Sequence, residues 1–361
     1  MHVDLYLYRP RLEEIAGRAR QAEQGGFDGL FVAESTSDPF QNLAIASQHT
    51  DRVTLGTSVA LAFPRSPMLT AVSAWELQRA TRGRHILGLG SQVRRHVERR
   101  FSAPFTPPVA RLREYTRAVR HIWGAFQGEH SLDFHGDYYT LDYLPDAMNP
   151  GPLAAGPPPV YLAALGPLMF QAAAAVADGA LIHPIHTLEY LRTVAEPAIA
   201  QGLQQAGRSR GEFALSATVL CIIGEDTGDA SREAVRRQFA FYASTPAYRP
   251  VLELHGWQSL SDRLRELVRH GEHDAMAGQV PDEILETFCV VAGTWAEATD
   301  LARRRYQGIA DRVMFQSAPP PGTAIPAAQA APSDGTNQLS HVSSSSHQAG
   351  RTPWIATAPP N

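Results

Sequence analysis

The chain has 361 residues, and 44% of them are hydrophobic, so it can bury a large core. That length exceeds the usual size of one domain unless the domain is a barrel. The formal net charge of -4 at pH 7 offers no basic surface to a phosphate polymer, so no nucleic-acid partner is expected. The sequence contains no lysine, which excludes Schiff-base chemistry and a P-loop.

The cysteines and the amino terminus indicate the compartment. Cys221 and Cys289 lie in apolar segments and form neither a CxxC motif nor a Cys/His group, which is typical of buried thiols. Residues 1–10 alternate like a strand and do not contain the apolar core of a signal peptide. Because no run of about 18 apolar residues is present, the sequence predicts a cytoplasmic protein without a membrane partner.

Strand-like and helix-like segments alternate along the chain with a spacing of about 30 residues. The predicted strands are residues 2–8, 27–34, 52–61, 84–90, 158–165, 178–183, 213–224 and 287–293. Eight strands joined by helices predict an α/β fold, a (β/α)8 TIM barrel that occupies residues 1–317. An open doubly wound sheet is the alternative, but no break divides the strands into two halves.

Three stretches depart from this alternation. Residues 127–158 are polar and then rich in proline and glycine, which predicts a short hairpin and loop inserted before strand 5. Residues 243–287 are predicted to form a helical excursion before strand 8. Residues 318–361 are rich in Pro, Ala and Ser and cannot bury enough apolar surface to order themselves, so we predict a disordered tail.

The carboxyl ends of barrel strands line the mouth where barrel enzymes hold their active sites. The predicted ends are residues 6–9, 33–35, 57–59, 90–92 and 163–166, and His183. Neither paired carboxylates nor a metal cluster appears there, although a hydrolase or lyase would be expected to have one of them. This scarcity indicates that a cofactor supplies the reactive atom and that the protein positions it.

The end of strand 5 is predicted to bind phosphate. The strand runs directly into a helix, so backbone N–H groups and the helix dipole converge on one spot. The residues of this turn are Ala163, Ala164, Leu165, Gly166 and Pro167. An ordinary strand-to-helix turn is the alternative, since Gly-Pro is common where helices begin.

The segment after strand 4 is more ambiguous. Gly88 and Gly90 lack the third glycine of a dinucleotide fingerprint, so we reject a Rossmann site and expect these glycines to let the strand pass close to a bound ring. His96 faces either the mouth or a solvated helix surface. His183 and His186 have no further ligand at metal-binding spacing, so contact of His183 with an organic ligand is the better interpretation.

Four segments in this order resemble the bacterial-luciferase-like superfamily, and within it the branch that uses the deazaflavin coenzyme F-420. They are residues 55–67, 84–92, 160–167 and 176–183. The similarity covers about residues 2–316 and includes the closing strand-helix-strand segment, residues 288–315. The resemblance implies a barrel that binds F-420 (8-hydroxy-5-deazaflavin), or alternatively FMN, and acts on a small organic substrate.

The resemblance also implies residue roles for the coenzyme. A bulge with a non-prolyl cis peptide behind the coenzyme ring falls on Ser58 and Val59, with Ser91 beside the ring. The phosphate-binding turn falls on the 163–167 segment described above. His183 falls on the position that contacts the phosphate tail from strand 6.

The predicted catalytic residues are Glu34, Ser35 and His96. Glu34 and Ser35 occupy the places of an Asp-His pair in the sugar-phosphate dehydrogenases of the branch. Glu34 is the predicted acid/base or orienting group, and a salt bridge to an arginine such as Arg65 is the alternative. In that branch a glutamate is the proposed proton donor, and its position is Val93 here. The branch's asparagine against the coenzyme is His96 here, and the lysine that binds the sugar phosphate aligns near His186 in a chain that has no lysine. Oxidation of glucose-6-phosphate is therefore disfavoured.

The sequence thus predicts an F-420-dependent oxidoreductase that transfers a hydride between the deazaflavin and a small organic substrate. Two alternatives stay open: an FMN-dependent luciferase-like monooxygenase, and a non-catalytic barrel subunit that has lost its coenzyme. The substrate, the direction of transfer and the oligomeric state are not fixed by the sequence, and a homodimer is one option.

Overall fold

The computed structural model describes residues 1–224, 229–316, 320 and 322–326. Twelve strands form within these residues. They are β1 (His2–Leu7), β2 (Gly29–Val32), β3 (Thr54–Thr57), β4 (Ala60–Leu61), β5 (His85–Gly90), β6 (Phe134–His135), β7 (Thr140–Leu141), β8 (Val160–Ala164), β9 (Gly179–Ile182), β10 (Ala214–Ile223), β11 (Cys289–Ala292) and β12 (Arg312–Phe315).

Eight of these strands close into a parallel barrel, which confirms the predicted TIM fold. Their order around the barrel is β1-β2-β3-β5-β8-β9-β10-β12, and β12 pairs with β1 to complete the ring. Because the strands are parallel, all their carboxyl ends lie at one end of the barrel, which we call the mouth.

One predicted strand was assigned wrongly. The eighth barrel strand is β12, whereas β11, predicted as strand 8, pairs outside the barrel with residues 220–223 of the long strand β10. The four residues of β12 are all buried between two neighbouring strands. The second half of β11 is not buried, and Val291 is 37% exposed, as expected for a strand with one partner.

Helices cover the outside of the barrel and connect its strands. They are α1 (Ile15–Gln24), α2 (Pro39–Ser47), α3 (Pro67–Ala80), α4 (Arg94–Arg99), α5 (Pro108–Gln127), α6 (Pro167–Val176), α7 (Leu188–Tyr190), α8 (Glu196–Gln205), α9 (Asp229–Ala243), α10 (Arg249–Leu254), α11 (Gln258–His270), α12 (Asp282–Phe288) and α13 (Trp295–Tyr306). Helices α2 and α3 each begin at a proline, and the side chain of the residue before it caps the helix. The capping residues are Asp38 for α2 and Ser66 for α3.

The predicted insertions are also present. Strands β6 and β7 form the antiparallel hairpin expected within residues 127–158. Helices α10, α11 and α12 lie in the predicted helical excursion. We use the name excursion for the segment that runs from the last turn of α9 to the end of α12. No helix of the described residues is long and apolar enough to cross a membrane.

Most of the tail predicted at residues 318–361 lies outside the described residues. Its described part, residues 320 and 322–326, contacts the barrel domain. The Ile325 backbone N–H donates to the carbonyl of Gly25 at 2.8 Å, and Ile325 is only 6% exposed. This short piece therefore packs on the barrel domain rather than extending from it.

A compact plug of large side chains fills the middle of the barrel. It consists of Phe31, Ile86, Tyr161, Leu181 and Met314. Glycines on neighbouring strands make this possible, since a Cβ on Gly56 would lie 2.2 Å from the Phe31 ring. The barrel is therefore closed below the mouth, and chemistry is confined to the mouth.

A buried ion pair lies inside the barrel on the first and last strands. The Arg312 guanidinium donates from Nε to Asp4 Oδ2 at 2.8 Å and from its terminal nitrogen to Oδ1 at 2.6 Å. A Cβ on Gly29 would lie 2.6 Å from the Asp4 carboxylate, so this glycine makes room for the pair. The pair joins the two ends of the barrel sequence where the ring closes.

Removing one partner of this pair is expected to destabilise the barrel. Arg312→Met leaves the Asp4 carboxylate buried without a counter-charge, so the free energy of unfolding should fall by about 3–5 kcal/mol. The matched control is Arg210→Met. It removes the exposed ion pair with Asp311, so the free energy of unfolding should fall by about 1 kcal/mol or less. Urea denaturation followed by circular dichroism measures both; equal losses for the two variants would contradict the assignment.

A candidate active site at the barrel mouth

The end of strand β3 forms a bulge at the mouth. The peptide between Ser58 and Val59 is cis, as the resemblance implied for this position. The Ser58 N–H donates to the carbonyl of Val32 at 2.8 Å, and the Val59 carbonyl accepts from the Glu34 N–H at 3.1 Å. The main chain of β2 and the segment after it therefore hold both sides of the bulge.

The glycines of strand β5 leave the space that this bulge occupies. A Cβ on Gly88 would lie 1.9 Å from the Thr57 carbonyl oxygen, and one on Gly90 would lie 2.6 Å from Val59 Cγ2. Both glycines thus make room for the main chain and side chain of the bulge, while the expectation that they let the strand pass close to a bound ring stays a prediction. The Cβ position on Gly90 also lies 3.5 Å from Ala163 Cβ, near the end of β8. The bulge and the end of β8 therefore approach each other beside Gly90.

The Glu34 carboxylate is bound by the protein itself. Its Oε2 accepts from the Leu61 N–H at 2.8 Å, and its Oε1 accepts from the Arg65 guanidinium at 3.0 Å. Arg65 also donates to Asp38 Oδ2 at 2.7 Å and lies over the Phe40 ring. This is the ion pair that the sequence analysis left open as the alternative, and it ties β2 to the segment that follows the bulge.

The other predicted catalytic residues differ in their surroundings. The Ser35 hydroxyl donates to the Tyr8 carbonyl, and the Ser35 carbonyl accepts from Arg100 at the end of α4. His96 lies on α4 with an exposed side chain, and its ring has no hydrogen-bond partner within the described part of the chain. The structure thus places Glu34 and Ser35 beside the bulge, and His96 on a short helix above it.

The predicted phosphate turn has free backbone donors. Strand β8 ends at Ala164 and α6 begins at Pro167. The N–H groups of Leu165, Gly166 and Leu168 have no partner among the residues that the structure describes. The Tyr190 hydroxyl donates to the Leu165 carbonyl at 3.0 Å and fixes the turn from behind. Three such N–H groups at the positive end of a helix can donate hydrogen bonds to an anion.

His183 follows β9 at the mouth and is an uncharged donor. Burial lowers its pKa to about 3. Its Nδ1 accepts from the Ile185 N–H at 3.2 Å, so the neutral ring carries its proton on Nε2. His186 is buried deeper, between the His183 carbonyl and the Tyr306 hydroxyl, both at 2.8 Å, and does not reach the mouth.

Sequence reasoning placed Tyr6 and Tyr8 at the mouth without assigning them a role, and it missed Tyr242 and Tyr248. Together with His183 they form a group that we call the aromatic recess, which consists of Tyr6, Tyr8, His183, Tyr242 and Tyr248. The alternation of tyrosine along strand 1 was a usable signal for Tyr6 and Tyr8. No local pattern marks the other two, because only the folding of the excursion brings them to the mouth.

Fold and mouth together define the class of protein: a TIM barrel with a cis bulge after its third strand and a turn with unpaired N–H groups, among the described residues, after its fifth. The chain belongs to the luciferase-like monooxygenase family, whose model matches residues 2–312. That membership and the relatives below place it among the oxidoreductases.

The chain is similar to several proteins of this kind. It is 43% identical over 306 residues to an uncharacterized protein of Mycobacterium tuberculosis, covering 84% of this chain and 90% of that one. A putative coenzyme F-420-dependent oxidoreductase of the same organism is 32% identical over 288 residues, covering 75% and 81%. The coenzyme F-420-dependent tetrahydromethanopterin reductase of Methanopyrus kandleri has the same fold, with a TM-score of 0.72, 22% identity and coverage of 87% and 92%.

Glu34 is expected to stabilise the fold around the bulge. Glu34→Gln removes the charge that Arg65 binds in a largely buried setting, so the free energy of unfolding should fall by about 1–3 kcal/mol. Glu98→Gln is the control, since its pair with Arg94 is exposed and should contribute about 0.5 kcal/mol or less. Unchanged stability of Glu34→Gln in urea denaturation would instead favour a catalytic carboxylate.

Buried neutral histidines are expected to make the fold acid-sensitive. Burial lowers the pKa of His85 and of His186 to about 4 from the ordinary 6.5. Below pH 6.5 the unfolded chain takes up protons that the folded chain takes up only near pH 4. Stability is therefore lost as the pH falls through this window, by about 2 kcal/mol per histidine between pH 7.5 and 5.

Variants assign this loss to single residues. His186→Gln should lower the free energy of unfolding at pH 7.5 but show a smaller further loss at pH 5, because one titrating ring is gone. His135→Gln is the control, since that side chain is 60% exposed and its loss should leave the pH dependence unchanged. The same pH dependence in His186→Gln and in the wild type would show that His186 does not contribute.

Proposed function

We propose that this protein is a coenzyme F-420-dependent oxidoreductase that transfers a hydride between the deazaflavin and a small organic substrate. The observation that carries the proposal is the meeting of the cis bulge and the anion-binding turn. Val59 of the bulge and Ala163 of the predicted phosphate segment both lie close to the position that a Cβ on Gly90 would occupy. A planar ring lying against the bulge would thus have its phosphate-bearing tail beside the turn.

The residues of the turn fit the phosphate of such a coenzyme. The N–H groups of Leu165, Gly166 and Leu168 supply donors without requiring a cationic side chain, which suits a chain without lysine. A Cβ on Gly166 would meet nothing within 4 Å, so the space in front of the turn is open. Ala163, Ala164 and the ring of Pro167 complete the turn in the proposed site. His183, which follows β9, contacts the tail through the Nε2–H edge of its ring, while the face of that ring stacks on Tyr248.

The bulge fits the ring. Val59 packs against the plug of the barrel, so a ring above Ser58 and Val59 rests on a rigid support. Ser91 follows β5 directly and is half-buried at the edge of this surface. When bound, the deazaflavin supplies a carbon that gives or takes a hydride, and the chain holds the ring and excludes water.

The predicted catalytic residues take different roles in this proposal. Glu34 positions the segment after the bulge through Leu61 and Arg65, and Ser35 positions strand β1 through the Tyr8 carbonyl. His96 is the remaining candidate for proton transfer, because its exposed ring is not engaged by any described residue. The 32% identical relative, a putative coenzyme F-420-dependent oxidoreductase, and the F-420-dependent reductase that shares the fold support F-420 as the coenzyme.

A coenzyme titration tests the proposal directly. Purified protein is titrated with F-420 and, separately, with FMN, while coenzyme fluorescence and absorbance are recorded. We expect saturable binding of F-420 and none of FMN over the same concentrations. Tight binding of FMN alone would replace the proposal by the monooxygenase alternative, and binding of neither would favour the non-catalytic subunit.

A variant of the phosphate turn locates the site. Gly166→Val places methyl groups in the open space before the free N–H groups, so the affinity for F-420 should fall by about tenfold or more. Gly17→Val is the matched control, since a Cβ on that exposed helical glycine also meets nothing within 4 Å. If both variants bound F-420 as the wild type does, the phosphate would have to lie elsewhere.

A further inference from the structure

The aromatic recess lies across the mouth from the bulge. Around the ring of eight strands, β10 is the strand opposite β3. The excursion that carries Tyr242 and Tyr248 follows β10, while Tyr6 and His183 come from β1 and β9. A coenzyme ring with one face on the bulge therefore turns its other face towards the recess.

Ring packing gives the recess a defined wall. The rings of His183 and Tyr248 are stacked, with centroids 4.1 Å apart and planes 17° apart. Tyr242 meets His183 edge-on, with centroids 4.6 Å apart, and is held by donors from Gln238 and Gln316. The Thr187 hydroxyl and His255 Nε2 are hydrogen-bonded at 2.8 Å and tie the excursion to the loop after β9.

The recess offers hydrogen-bonding hydroxyls that the protein does not use. The hydroxyls of Tyr6, Tyr8 and Tyr248 have no hydrogen-bond partner within the described part of the chain. Partly buried tyrosine hydroxyls usually find a partner, so these three are available to a ligand. Tyr6 also packs against the barrel plug, as Val59 does, which places it on the floor of the mouth.

The charge that lies near the recess is confined to its rim. Burial raises the pKa of Tyr6 and of Tyr248, and the neighbouring groups that shift them further are other tyrosines. His183 is neutral, and among the described residues Arg305 is the charged group that shifts the pKa of its neighbour His186. At the rim, the Arg9 guanidinium lies 4.9 Å from the centre of the Tyr8 ring. Arg9 also acts on Tyr242, but it is exposed. An anion buried among the rings below this rim would therefore lose its hydration while the counter-charge stays at the surface.

We propose, resting on the function proposed above, that the recess binds an uncharged, planar organic molecule that carries a hydrogen-bond-accepting oxygen. The molecule lies between the coenzyme ring and the His183–Tyr248 wall, and its oxygen accepts from the free tyrosine hydroxyls. Phosphate and carboxylate groups of a substrate are excluded from the buried rings below Arg9. Tyr248 is a specificity-determining residue because it supplies the stacking face.

Two probes of the same shape and different charge test the proposal. Full-length protein saturated with F-420 is titrated with acetophenone and with benzoate, and binding is followed by ligand-observed NMR. We expect acetophenone to bind about tenfold more tightly than benzoate. Equal or tighter binding of benzoate, or of inorganic phosphate in a third titration, would overturn the proposal without needing any variant.

Variants test the wall itself. Tyr248→Leu should weaken acetophenone binding about fivefold to tenfold, whereas Tyr248→Phe keeps the stacking face and should retain most of the affinity. Tyr143→Leu is the control, since that tyrosine is 78% exposed on the inserted loop. Unchanged acetophenone affinity in Tyr248→Leu would overturn the role of the wall.

The outcome is separable from that of the coenzyme titration. Wild-type protein that binds F-420 but shows no preference for acetophenone refutes the recess alone. Wild-type protein that binds no F-420 refutes the proposed function, whatever the probes do. A Tyr248→Leu variant that fails to fold is replaced by Tyr8→Leu, which removes a second aromatic face of the recess while leaving the excursion unchanged.

Discussion

Closure of the barrel between β12 and β1 is the constraint on which the rest of the structure depends. Asp4 and Arg312 form a buried ion pair although they are 308 positions apart in the chain. Such a pair adds little net stability over an apolar replacement, but either charge is costly without the other, so it favours the pairing that brings them together. Once the ring closes, the ends of all eight strands share one mouth, and residues from the whole sequence can meet there.

The first half of the mouth is built mainly from main-chain groups. Glu34 contributes its N–H to the Val59 carbonyl and its carboxylate to the Leu61 N–H, so one residue of β2's end fixes the segment on both sides of Ala60. The turn before α6 offers unpaired N–H groups instead of cationic side chains. A mouth of this kind can hold a coenzyme with few titratable residues, which explains why the strand ends looked chemically poor.

The second half of the mouth is built from side chains on an excursion from the regular alternation. Two tyrosines from the excursion pack around His183, and tyrosines of β1 lie beside them. The recess is therefore lined by aromatic rings, with the Arg9 guanidinium at its rim. Its lining depends on one segment that lies outside the regular alternation of strands and helices.

The sequence by itself determined the barrel, through the regular alternation of strand-like and helix-like segments, and the turn at Gly166, through a local strand-to-helix signature. The cis bulge at Ser58 followed from the resemblance to the luciferase-like family. Tertiary structure decided the rest. The last barrel strand is β12 because burial between two neighbours, rather than local apolarity, selects it. Glu34 proved to be ion-paired, since Arg65 reaches it only through the fold. The aromatic recess likewise joins segments far apart in the chain, and no spacing in a sequence encodes a contact that only ring closure creates.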